Sequence, residues 1–220
     1  MPDPQQLTIQ ASDNHPLAAT LYRARQPNGR VVIINAGMGI SRRYYDAYAH
    51  FLSGQGFNVL TYDYRGIAES ISRQPNITLA DWGVSDQTGA INHVAGLFPD
   101  SKIILIGHSV GGQLLGLASN HAQVAGMLGI AAQTGYWQAW DGNRRVFMLL
   151  LWTVIIPATT FIFGRLHHVV LGSQEDVPKG VALQWAQAGR MERYVYSFYA
   201  DESYHDYDSV RIPIRAYSFD

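Results

Sequence analysis

Apolar residues along the first 131 positions fall into short runs separated by turn residues. Residues 7–10 and 17–22 alternate, and Asp13-Asn14-His15-Pro16 joins them. Alternation around such a turn predicts an antiparallel hairpin. Residues 31–34 are an unbroken β-branched run, as expected of a strand covered on both faces. Ser41 starts a predicted helix over 42–53 with Tyr44, Tyr48 and Phe51 on one face, stopped by Gly54 and Gly56. Residues 57–62 read as the next strand. Thr78-Leu79-Ala80-Asp81 resembles a capping box, opening a helix whose inward face holds Trp82, Ile91 and Val94, with Pro99 closing the unit. Residues 102–106 and 124–131 are further strands, and residues 110–120 between them read as a helix. Strands alternating with helices predict an α/β fold: a mostly parallel sheet with helices on both faces.

The rhythm changes after residue 133. Residues 134–209 contain long apolar and aromatic stretches, no clear strand, and four of the five tryptophans: Trp137, Trp140, Trp152 and Trp185. Residues 212–219 then restore a strand. The pattern divides the chain into a core, residues 1–133 and 210–220, and a helical lid insertion, residues 134–209. Within the insertion, residues 146–164 carry no charge and approach the ~18–20 residues needed to cross a bilayer. Both flanks must return to the same core, so a broken pair of lid helices, interrupted at Pro157, is expected rather than a stable span. Peripheral membrane contact remains open.

Composition narrows the function. Sixteen basic and seventeen acidic residues give a net charge of −1, with no like-charge cluster to attract nucleic acid. Charged residues make up only 15% of the chain, so either more of its surface is apolar or aromatic or more of the chain is buried. With no cysteine, disulfides, thiolate metal sites and a cysteine nucleophile are excluded. The polar N-terminus lacks the basic and apolar regions of a secretory signal, and a cytoplasmic location is expected.

One motif carries chemistry. Gly107-His108-Ser109-Val110-Gly111 matches G-x-S-x-G. In isolation the motif is weak. Here it follows an apolar strand and precedes an apolar segment, the strand–turn–helix setting of a nucleophile elbow. Ser109 is the predicted nucleophile, with Gly107, His108 and Gly111 forming the elbow. An oxyanion hole is expected from the backbone N–H of Val110 and of Met38, in the Asn35-Ala36-Gly37-Met38-Gly39 loop; Gly37 and Ala36 are alternatives to Met38.

The chain resembles the α/β-hydrolase superfamily, in the branch of serine aminopeptidases and monoacylglycerol-lipase-like esterases. The resemblance rests on the Ala36-Gly37 loop, on Asp63-Tyr64-Arg65-Gly66-Ile67-Ala68-Glu69-Ser70, and on the elbow. Residues 178–185 are similar to a bacterial group of uncharacterised predicted hydrolases. Ala68 stands where the pattern has a second glycine, and Asn35-Ala36 where many relatives have His-Gly. The resemblance implies that Asp63 and Arg65 organise a loop rather than react.

It also implies a triad in the order Ser, acid, His. Asp220 falls at or just before the acid position, and the triad histidine is expected beyond it, absent from this chain. Of the histidines present, only His205, among acidic neighbours, is a rival base. Adjacent His167 and His168 are not expected to share a metal. No cofactor and no metal are expected. The reading is a serine hydrolase of a small apolar ester, or of an amide or thioester, in a catalytically incomplete form. The alternative is a non-catalytic binding protein on the same fold.

Overall fold

A computed structural model of the chain describes residues 2–72, 74, 76–195 and 207–218. Strands β1 (Gln5–Gln10) and β2 (Pro16–Tyr22) form the predicted hairpin, turning through Asn14 at φ 66°. Strands β3 (Arg30–Asn35), β4 (Asn58–Tyr62), β5 (Lys102–His108), β6 (Val124–Ile130) and β9 (Ile214–Tyr217) complete a seven-stranded sheet in the order β1-β2-β4-β3-β5-β6-β9. The five strands from β4 to β9 run parallel, and β1 and β2 are antiparallel at one edge. Strands β3 and β4 are buried along almost their whole length, as their β-branched runs require.

Helix α1 (Asp46–Gly54) follows a 3₁₀ turn at Arg42–Tyr45. Its packing reverses the expected face: Tyr45, Ala49 and Leu52 are buried, while Tyr44 and Phe51 are exposed. Both stripes have helical spacing; the small Ala49 lets the helix sit close to the sheet, and Tyr45, on the turn before it, is buried with its hydroxyl bonded to Gly37 and His108. Ser41 precedes this turn but donates and accepts no capping bond through its side chain. The capping box at Thr78 forms as predicted. It opens α2 (Leu79–Asp81), which continues through a π turn (Trp82–Gln87) into α3 (Thr88–Leu97), with Trp82, Ile91 and Val94 fully buried.

The helix expected over residues 110–120 is absent. Short 3₁₀ turns at Ser109–Gly112 and Leu115–Leu117 take its place. Gly111, Gly112 and Gly116 fall within seven residues, and each glycine disfavours a helix interior by about 1 kcal/mol relative to Ala.

A helical segment is inserted between β6 and β9. It comprises α4 (Gly142–Leu150), a π turn (Leu151–Ile155), α5 (Ile156–Phe163), β7 (Arg165–Leu166), α6 (His168–Leu171), β8 (Val177–Pro178) and α7 (Lys179–Gly189). The expected break at Pro157 does not occur. In an α-helix the missing Pro157 N–H would bond the carbonyl of Thr153, and Thr153 lies inside the wider π turn, which absorbs the mismatch. The result is one 22-residue helical stretch, Gly142–Phe163, long and apolar enough to cross a membrane. The two-residue strands β7 and β8 pair antiparallel and were too short to read from sequence.

Candidate active site

Sheet register brings the site together. Asn35 of β3 pairs with Gly107 of β5, and Gly107 pairs with Gly129 of β6, so three carboxyl ends finish level. The chain leaves β3 into the Ala36–Gly39 loop and leaves β5 into the elbow. Ser109 stands at that elbow with φ 50°, in the left-handed region that non-glycine residues rarely occupy. Two close approaches impose this conformation. A Cβ on Gly107 would lie 2.3 Å from Gly112 Cα, and one on Gly111 would lie 2.4 Å from the Asn35 carbonyl oxygen. Asn35 adds a clamp: its fully buried side-chain amide donates to the Gly111 carbonyl (3.3 Å) and accepts from the Tyr62 hydroxyl (2.9 Å). The lead-in position that departs from the family pattern therefore ties the loop to the elbow.

Val110 is the second residue of its 3₁₀ turn, where the turn's own hydrogen bonds leave the N–H unclaimed. In the facing loop, Gly37 N–H donates to the Tyr45 hydroxyl (3.0 Å). This removes Gly37 from the possible oxyanion donors, whereas the Met38 N–H has no hydrogen-bond partner among the described residues. The Tyr45 hydroxyl also meets His108 Nδ1 at 2.8 Å. Burial raises the Tyr45 phenol well above its usual range and pulls the His108 imidazole below its own. Tyr45 thus stays a protonated phenol, accepting from Gly37 and hydrogen-bonded to a neutral His108. On the other side, the Gly39 carbonyl accepts from the N–H groups of Gln174 (3.1 Å) and Glu175 (2.9 Å), so the insertion is bonded directly to this loop.

Residues 25–211 match the serine aminopeptidase S33 family. The chain belongs to that family. Among solved structures, a Xanthomonas campestris serine hydrolase described as lacking a lid is 17% identical, with a TM-score of 0.52 over 64% of this chain and 66% of that one. The Pyrococcus furiosus esterase Pf2001 is 23% identical, with a TM-score of 0.51 over 59% and 51%. A lipase in its open form covers 98% of this chain and 79% of its own, with a TM-score of 0.63 at 18% identity. The chain spans half to two thirds of the first two. These likenesses establish the fold. No curated protein matches the chain.

The acidic loop typical of this S33 chain's resemblance is a staple, as expected. Asp63, fully buried, accepts from Arg42 N–H (2.6 Å) and from the Arg42 guanidinium (2.5 Å). Arg65 bonds Asp86 (2.7 Å) and Asp13 (2.7 Å), joining the loop after β4 to the π turn and to the β1–β2 hairpin. Ala68, in place of the second glycine, takes φ 44°.

Among the described residues no side chain hydrogen-bonds the Ser109 hydroxyl, which is half-buried. His108 is engaged with Tyr45. His121 is buried, contacting the Ala118 carbonyl and the Ser209 hydroxyl. Asp220 and His205 lie outside the described residues. His167, His168 and Asp176 do converge, contrary to expectation, with ligand atoms within 4.8 Å of one another. Asp176, however, already accepts from His168 N–H (2.9 Å) and Nδ1 (2.8 Å) and pairs with Arg165 (3.1 Å). A guanidinium on the only carboxylate repels a cation, so the cluster fastens the α6–β8 loop. An open pocket of about 790 Å³ borders the elbow through Gly112 and Gln113 and is lined further by Met127, Tyr136, Tyr194 and Tyr207; Ser109 does not line it.

Sequence reasoning missed Tyr45 as a support. The available signal was a tyrosine beside a glycine-rich loop, whose hydroxyl must find a partner once its ring is buried.

Proposed function

We propose that the chain is the core of a serine hydrolase that cleaves small, apolar esters through an acyl-enzyme on Ser109. The observation that carries this reading is the backbone of Ser109 itself, a non-glycine residue held at φ 50° between two glycines that admit no side chain. Strain of this kind persists where the surroundings over-determine it, and it clusters at reacting residues.

In the reaction, Ser109 Oγ attacks the ester carbonyl carbon and its proton passes to a histidine base. The carbonyl oxygen becomes an oxyanion, stabilised by the N–H groups of Val110 and Met38; one such donor contributes about 2.7–4 kcal/mol to the transition state. The bond to the leaving oxygen breaks, and that oxygen takes the proton and departs as an alcohol. Water then attacks the acyl-Ser109 ester, releasing the acid and returning the proton to Ser109. No described residue serves as the base or the acid; Asp220 is the sequence-derived candidate for the acid. An apolar acyl group suits the aromatic, weakly charged insertion, whose 173–175 loop adjoins Met38 through Gly39.

The test is labelling with a fluorophosphonate probe, together with hydrolysis of short p-nitrophenyl esters. Ser109→Ala is expected to abolish both without loss of fold. Labelling that survives the substitution would refute Ser109 as nucleophile. Absence of labelling in the unaltered full-length protein would favour a binding protein on a hydrolase fold.

A further inference from the structure

The Gly142–Phe163 stretch has two unlike faces. Its inner face, Leu151, Trp152, Ile156 and Thr160, is buried, with α7 packed against the π turn and α5. The Trp152 ring fills the space a Cβ on Gly189 would need, 2.3 Å away, and meets the Trp185 ring edge-on at 4.7 Å. The outer face carries Phe147, Leu150, Val154, Ala158 and Phe161, every third or fourth residue, all exposed. Phe161 is 85% exposed, its neighbour Ile162 69%, and Val169 of α6 71%. A helix on a water-facing surface presents polar residues outward. Here the outward stripe is apolar, and isolated exposed residues do not form such a stripe.

Charge identifies what covers it. From residue 142 to 174 there is no acidic residue, and Arg144 and Arg145 stand at one end of the stripe, while Arg165 at the other end is paired with Asp176. A second copy docked with the helices parallel would set Arg144 and Arg145 against their own copies, and one docked antiparallel would set them against an Arg165 whose Asp176 is already taken, with no carboxylate in the stripe to offset them. An anionic lipid surface satisfies both features: acyl chains accept the apolar side chains, and headgroups accept the Arg144 and Arg145 guanidinium groups. Because the inner face is sealed against α7 and the chain turns at Gly164 into β7, which pairs with β8 just before α7, the helix lies along the surface and does not cross it.

We propose that the outer face of α4–α5, with Val169, docks the protein reversibly on anionic lipid bilayers. This inference does not depend on the proposed catalysis, and its test reads no turnover. Flotation of the full-length protein is measured with vesicles of phosphatidylcholine alone and of phosphatidylcholine mixed equally with phosphatidylglycerol. The protein is expected to float with the mixed vesicles, less with the neutral ones, and less as salt rises. The double variant Phe161→Ser/Ile162→Ser should bind about tenfold or more weakly. Arg144→Gln/Arg145→Gln should weaken binding and flatten its salt dependence. Circular dichroism shows whether each variant keeps its fold; Phe147→Ser is a separate check, since it alters only an exposed position. The proposal is overturned if the unaltered protein fails to float with mixed vesicles or if the Phe161/Ile162 variant floats equally well. It is also overturned if sedimentation shows a dimer that the variant dissociates while vesicle binding is nil.

Discussion

The elbow and the insertion use the same residue for opposite reasons. At the elbow, Gly107 and Gly111 have backbone atoms within 2.4 Å of where a Cβ would sit. In the insertion, Gly142, Gly164 and Gly172 have nothing within 4 Å, yet all three take positive φ. The first pair makes room for neighbours; the second group lets the chain turn at helix ends, as at Gly164 after α5 and Gly172 after α6. A glycine count separates neither case. Contact distance does: the elbow pair tolerates no added atom, whereas these three helix-end glycines tolerate the atom but not its backbone consequence.

Substitutions that add one methyl test this division. The largest effect is expected from Gly111→Ala, which drives a Cβ into the Asn35 carbonyl and dislodges the clamp between the two loops. Probe labelling of Ser109 should fall at least ~100-fold, with stability lowered by about 1–3 kcal/mol; unchanged labelling would show that the elbow is not over-determined. Next in size is Tyr45→Phe, which frees the Gly37 N–H and removes the hydrogen bond to His108. Ester turnover is expected to drop about tenfold with KM little changed, since the loss is in aiming an oxyanion donor. An equal rise in KM would mark Tyr45 as a substrate contact instead.

The same network has a pH signature. His108 is held below its ordinary value of 6.5 by burial, so the unfolded chain takes up this proton more readily than the folded one. Its contribution to stability is therefore present above the ordinary value and is lost as pH falls below it. Thermal melts between pH 8 and pH 5 should show this decline, to which His15 and His93, lowered by burial in the same direction, also contribute, and His108→Gln should lessen it. Gly164→Ala comes next: the space is open, so labelling should be unaffected, and strain at φ 70° should lower stability by about 1 kcal/mol. Smallest is Ala68→Gly. It relieves a strained alanine but adds freedom to the unfolded chain, for a net gain of about 0.5 kcal/mol in chemical denaturation.

The sequence made the hairpin, strands β3 to β6, the capping box at Thr78 and the elbow readable, because each is written in neighbouring residues. The errors arise where distant partners decide. Residues 110–120 have the apolar content of a helix, but Gly111 belongs to Asn35 and Gly112 to Ala132. The aromatic face of α1 looked like the core face, and the alanine-lined one was chosen by how close the sheet must come. Pro157 looked like a break until a π turn, which has no local sequence signature, accommodated it. The clamp by Asn35 and the support from Tyr45 require knowing that strands three and five lie side by side.

The Gly39 carbonyl takes both Gln174 and Glu175 N–H groups, fastening the insertion to the residue that follows Met38. A hinged flap would be joined to the core at its roots alone and could swing without disturbing the floor of the site. This one is also sewn to the floor. Any excursion of the α6–β8 loop must tug on the peptide beside Met38, so displacement of the roof registers as a misaimed donor beneath it. An isotope-edited amide band or an exchange rate at Met38 would therefore serve as a gauge of how the roof is seated.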